Sequence, residues 1–146
     1  MALSDGQSML FSGENLSLPE SAGVVQLRHI ITDRGSKYSV TMVAVKDADE
    51  VKQKLKAITT EKPYHKATHH TWAVRFMAQN ILTERKNDGG ETGAGMVLLS
   101  VLRGHNLVNT LVVVTRWYGG TKLGSDRFLH VKNAAILGAS AMKHQR

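Results

Sequence analysis

Two stretches rich in β-branched residues, Val24 to Ile31 and Tyr38 to Val45, flank Thr32-Asp33-Arg34-Gly35, whose composition is that of a turn. The pattern predicts a β-hairpin. Asp47 then stands three residues before Glu50, the spacing of a capping box, and Ala48, Val51, Leu55 and Ile58 recur at the helical period. A helix is predicted there, with Lys52, Lys54 and Lys56 on its solvated face. After Pro63 the chain alternates from Thr71 to Met77, with Trp72, Val74 and Phe76 on one side, which predicts a third strand. Residues 83–95 are polar and glycine-rich and read as a loop feeding a short helix from about Thr92 to Arg103. Met96 to Leu99, apolar on every side of that helix, are expected to be buried. The continuous apolar run Leu111 to Val114 fits a strand covered on both faces. Beyond it, Ser125 is placed to N-cap a final helix in which Phe128, Val131, Ala135 and Met142 fall near one stripe. Gly138 and several alanines in that helix permit close packing on the sheet.

The order β-β-α-β-α-β-α predicts an α+β fold, a two-layer sandwich of a four-stranded sheet with helices. Residues 1–23 hold five serines, three glycines and Pro19 and read as a mobile leader. Residues 24–146 are then a single domain, as the length of 146 residues suggests.

Charge changes this picture more than composition does. Residues 1–27 carry Asp5, Glu14 and Glu20 with no Lys or Arg, so the net +7 of the chain leaves +10 on the remainder. That bias favours polyanionic partners such as RNA or an acidic protein surface; solubility is the plain alternative. No cysteine is present, which excludes disulfides, thiolate nucleophiles and Cys-ligated zinc. No apolar run approaches the ~20 residues that span a bilayer. The N-terminus has neither the basic and apolar regions of a secretory signal nor the arginines of a transit peptide, so a cytoplasmic location, or also a nuclear one, is expected without membrane contact.

Candidate chemistry concentrates in Arg116-Trp117-Tyr118-Gly119-Gly120-Thr121-Lys122-Leu123-Gly124-Ser125-Asp126-Arg127-Phe128, between a strand and a helix start. Backbone amides and the helix dipole can hold an anion at such a place, with Arg116, Lys122 and Arg127 adding charge-assisted contacts. The spacing fails as a nucleotide loop, because Ser125 stands where the phosphate-binding lysine belongs and Asp126 repels an anion. Two readings stay open. In one, Gly119, Gly120 and Gly124 serve backbone geometry while Trp117 and Tyr118 pack on the sheet. In the other, the cations and aromatics form a recognition surface. Burial of Arg116 against Asp88 or Glu91 would favour the structural reading.

Elsewhere Asp88 and Glu91 read as caps of the helix that follows, not as an acid/base pair. His65, His69 and His70 lack a carboxylate close in sequence and read as ordinary loop or strand histidines, so no metal is expected. No nucleophile motif stands out, so an enzyme is not expected and no cofactor is implied.

The Arg116 to Phe128 segment resembles the signature of the IMPACT family. Asp33-Arg34 with Ser36-Lys37-Tyr38 resembles the family's opening strand, and Ala67-Thr68-His69-His70-Thr71-Trp72-Ala73 its Ala-Thr-His segment. Asp88 to Gly95 resembles its acidic, glycine-rich block, and Asn109 to Thr115 the strand before the signature. Asp126-Arg127-Phe128 is closer to the eukaryotic branch. The resemblance implies a fold like the C-terminal domain of a small-subunit ribosomal protein, several relatives of which touch RNA. It also implies translational control, since eukaryotic members restrain the kinase that phosphorylates initiation factor two by competing for its activating partner. An RWD domain makes that contact in those regulators, and bacterial relatives add a ferredoxin-like domain; this chain is expected to be the bare shared domain.

The resulting expectation is a non-enzymatic binding module in translation or its stress response, a monomer or weak oligomer. It would contact RNA, the ribosome or a translation-control protein through Arg116, Trp117, Tyr118, Lys122, Arg127 and Lys37. Its motif would be held in shape by Gly119, Gly120, Gly124, Ser125, Asp126, Asp88, Glu91 and His69. The alternatives are a protein-interaction domain of a kinase-regulatory pathway without RNA contact, and an enzyme acting on phosphorylated small molecules.

Overall fold

In the computed structural model residues 23–145 are described, so the expected leader, 1–23, lies outside the described residues except for Gly23. The first hairpin forms as the pattern predicts. Strands β1 (Val24–Asp33) and β2 (Ser36–Ala44) are joined by Arg34 and Gly35 at φ 45° and 86°. Positive φ at both central residues gives a turn whose twist matches that of the flanking strands. Helix α1 (Ala48–Thr60) begins at Asp47, whose side chain accepts from the Glu50 amide at 2.9 Å. The Glu50 carboxylate reaches back to the Lys46 amide at 2.8 Å, one residue beyond the usual capping-box partner.

Strand β3 (His69–Ala78) is followed not by a loop but by a further strand, β4 (Ile81–Asn87). Residues 83–87, expected in a loop, therefore pair with β3. Gln79 and Asn80, at φ 53° and 63°, make the same kind of two-residue turn as the first hairpin. Among the described residues the strand pairs on one side only, which fits its polar character, and charged residues on an edge strand discourage further pairing.

Helix α2 (Ala94–Gly104) starts later than the expected Thr92, after Gly93 at φ 91°. Leu98 and Leu99 are buried as expected, but Met96 is 39% exposed, because only one side of the helix meets the sheet. Strand β5 (Thr110–Trp117) and helix α3 (Asp126–His144) complete the chain.

The sheet order is β1-β2-β5-β3-β4, antiparallel throughout. The expected α+β arrangement of helices on a sheet is present, with five strands among the described residues instead of four. Central strand β5 has neighbours on both sides, and its alternation divides the core. Val112 and Val114 face α2 and α3 with Tyr38, Val40 and Met42, while Leu111 and Val113 face α1 with Val43, Val74 and Phe76. Helix α1 thus adds a layer to the expected two, which is why the apolar run of β5 is continuous. Gly138 lets α3 lie close to the sheet, since a Cβ there would stand 3.0 Å from a Val40 methyl.

Candidate functional site

The alternation that buries Val112 and Val114 carries on to Arg116, so this cation points into the α2/α3 side. Tyr38 lies beside it on β2 and His69 on β3. Arg116 Nη1 donates to Glu91 Oε2 at 2.9 Å and Nη2 donates to Ser36 Oγ at 3.4 Å. Its guanidinium carbon lies 5.5 Å from the Tyr38 ring centre and 5.6 Å from that of Tyr118. Only 5% of Arg116 is exposed. Expected on a contact surface, Arg116 is instead committed to an internal ion pair, because strand alternation puts it under α2 and α3. Glu91, expected as a helix cap, is its partner.

Asp88 does cap α2. Its two carboxylate oxygens accept from the Gly93 amide at 3.0 Å and the Gly95 amide at 2.8 Å. Those two amides hold its carboxyl below the usual range. A Cβ at Gly95 would press on the Asp88 carboxylate, so the glycine spacing of this block serves the cap. His69 Nδ1 lies 3.0 Å from the Gly89 carbonyl, tying β3 to the same block.

Trp117 takes the opposite face. Its indole N–H donates to the Pro63 carbonyl at 3.4 Å, and its ring sits edge-on to His29 and Tyr64 at 4.9 and 5.3 Å. Lys37, its neighbour on β2, is exposed. Tyr118 leaves the sheet, with its amide donating to Thr68 Oγ1 at 2.9 Å and 45% of the residue exposed. His70 lies on this face too, 3.1 Å from Thr115 Oγ1, and burial lowers its pKa. The three histidines do not converge, and among the described residues no group of three or more His, Asp or Glu is arranged to hold a metal.

In the loop, Gly119 packs directly on the backbone of Gly35 and Ser36, and its amide donates to Ser36 Oγ at 3.1 Å. Gly120 and Gly124 occupy positive φ, 93° and 60°. Ser125 does not cap α3: its backbone is helical and its side chain makes no capping bond. The amides of Asp126, Arg127 and Phe128 are already bonded to the carbonyls of Leu123, Gly124 and Ser125, so the turn itself serves the helix start. Asp126 accepts from Arg34 at 2.6 Å, and Arg34 also bonds Asp33. His130 Nε2 lies 2.7 Å from Asp33 Oδ2. Arg34, with His130 second, holds the Asp33 carboxyl down to about 2. Lys122 is exposed; Arg127 is half-buried over the Phe128 ring, 4.8 Å from its centre, and forms no ion pair among the described residues.

Four separated blocks, Asp33–Tyr38, His69–His70, Asp88–Gly95 and Arg116–His130, therefore meet at one end of the sheet. Sequence reasoning had not singled out Arg34, Tyr38 or His130. The Asp33-Arg34 and Tyr38 positions were visible as part of a motif block, whereas His130 carried no signal beyond its place on α3.

Comparison with known proteins agrees with this architecture. Residues 34–138 match the family model described as the Impact N-terminal domain. Protein IMPACT of Rattus norvegicus is 38% identical over 123 residues, 82% of this chain and 39% of that protein. Protein IMPACT-B of Xenopus tropicalis is 36% identical over 137 residues, 92% of this chain and 43% of that one. The chain thus spans about two-fifths of the length of these relatives. Among solved structures, the two-domain translational regulator Yih1 superposes with a TM-score of 0.56 at 27% identity, covering 90% of this chain and 54% of that one. A crystal structure of a hypothetical protein, 21% identical, shares the fold at a TM-score of 0.60 over 88% of this chain and 59% of the other. The matched family model and the identity to these relatives show that this chain belongs to the IMPACT family.

Proposed function

We propose that the chain is a non-enzymatic binding module of translational regulation that contacts RNA, free or on the ribosome, through Lys37, Tyr118, Lys122 and Arg127. The observation that carries this reading is the division of the signature's charges. Arg116 is spent on Glu91, whereas Lys37, Lys122 and the aromatic Tyr118 are exposed around the same loop. Exposed cations beside an exposed aromatic suit a phosphate backbone with a stacked base. Membership of the IMPACT family and the likeness to the translational regulator Yih1 supply the setting.

The carboxylates at this end support a binding role over catalysis. Glu91 pairs with Arg116, Asp126 with Arg34, Asp33 with Arg34 and His130, and Asp88 caps α2. None of these four is a free general acid or base.

RNA affinity measured against salt tests the proposal. Log affinity is expected to fall linearly with log salt, and Lys37→Ala or Lys122→Ala to flatten the slope by about one unit each. Binding that is equally weak for parent and variants at every salt concentration refutes RNA contact. Recovery of ribosomal proteins from ribonuclease-treated cytosol would then assign the face to protein contact.

A further inference from the structure

At the same end of the sheet, on its α2/α3 side, three hydrogen-bond donors are buried without an acceptor among the described residues: the Tyr38 hydroxyl, Arg116 Nε and Arg127 Nε. Tyr38 is wholly enclosed and Arg116 almost so. The Tyr38 ring lies 5.5 Å from the Arg116 guanidinium carbon and 5.3 Å from the His130 ring, which stands on α3 about one turn beyond Arg127. Burial pushes the Tyr38 hydroxyl up to about 12, so it keeps its proton, and Arg116, Glu91, Asp33 and Arg127 are the charges that act on it.

Acceptors close by are already engaged. Glu91 accepts from Arg116 Nη1, and Asp33 is shared between Arg34 and His130. Asp126, which by itself would repel an anion from the start of α3, is compensated by Arg34. Two guanidinium edges and a phenol proton are complementary to a group that only accepts and carries negative charge; a cation is repelled by the same set.

We propose that Tyr38, Arg116 and Arg127 form a subsite for one small oxyanion of the phosphate class, entered beside Arg127, the half-buried member. The subsite goes beyond the RNA reading: it shares Arg127 with that surface, but its other two donors, Tyr38 and Arg116, are buried and lie outside it. A phosphate held there belongs either to a free small molecule or to a nucleic-acid backbone.

Calorimetric titration of inorganic phosphate into the full chain, at fixed ionic strength, is expected to show saturable binding at a single site. Tyr38→Phe keeps the ring and removes only the hydroxyl, and Arg127→Gln removes the charge at a half-exposed position. Each is expected to weaken binding by about tenfold, the loss of one hydrogen bond to a charged group. Lys132→Ala, in the groove between α2 and α3, should bind as the parent does. Competition by an oligoribonucleotide would place the phosphate in an RNA backbone, and its absence would assign the subsite to a free phosphorylated molecule. No saturable phosphate binding, or equal binding by parent, Tyr38→Phe and Arg127→Gln, overturns the proposal. The Lys122→Ala salt slope tests the RNA reading separately.

Discussion

Arg116 and Glu91 form an ion pair at 2.9 Å with side chains only 6% and 3% exposed. Two charges removed from water repay their desolvation only through each other, so losing one partner is far more harmful than losing both. Glu91→Gln or Arg116→Met alone is expected to cost about 3–5 kcal/mol in chemical denaturation. The double variant Glu91→Leu with Arg116→Met should recover most of that loss. Single variants within about 1 kcal/mol of the parent would remove the pair from its structural role.

Gly119 and Gly120 are adjacent, yet different physics requires each. Gly119 has an ordinary φ, and an added Cβ would run into the Gly35 carbonyl carbon and the Ser36 amide. Gly120 has φ 93° and open space around it. Gly119→Ala is therefore expected to destabilise by about 1–3 kcal/mol through overpacking of backbone on backbone. Gly120→Ala costs only about 1 kcal/mol, from the strained torsion. Thermal or denaturant unfolding of the two variants, compared side by side, checks the order.

The two β-branched runs and the helical period after Asp47 made the hairpin and α1 legible, since both elements bury one clear face. Strand β4 was hidden because its residues, Thr83 to Asn87, are polar on an edge that buries little. Its only local sign was Gln79-Asn80 between apolar neighbours. Arg116 was legible in half: counting alternately from Val112 places it on a buried face, but Glu91 lies 25 residues away in a loop whose course the sequence does not reveal. Met96 and Ser125 failed for one reason. Local pattern names a residue type suited to burial or capping, and tertiary packing of α2 and the turn before α3 decided otherwise.

Burial of His70 predicts a pH effect of definite sign. Desolvation disfavours its charged form, so its folded pKa lies below the unfolded value of 6.5. The folded state binds fewer protons, so the contribution is fully present above pH 6.5 and is lost as pH falls through the folded pKa. Stability is expected to decline on acidification from neutral pH, and His70→Gln to flatten that decline. NMR titration showing His70 at or above its ordinary value would contradict the prediction.

Glu84 ties the edge of the sheet to α2, accepting from Arg103 Nη2 at 2.6 Å and from Arg75 Nε at 2.9 Å. Arg103 first, with help from Arg75, holds its carboxyl down to about 2 from 4.5. A depressed carboxylate stabilises above its unfolded pKa, and that stability disappears as pH falls from 4.5 toward 2. The pair with Arg103 is half-exposed and screened, so Glu84→Gln is expected to cost only about 1 kcal/mol at neutral pH. Because the bridge is local, hydrogen exchange should show faster opening of β4 and its contact with α2, with β2 and β5 unchanged. Uniform acceleration across all five strands would show that Glu84 supports the whole fold and not its edge.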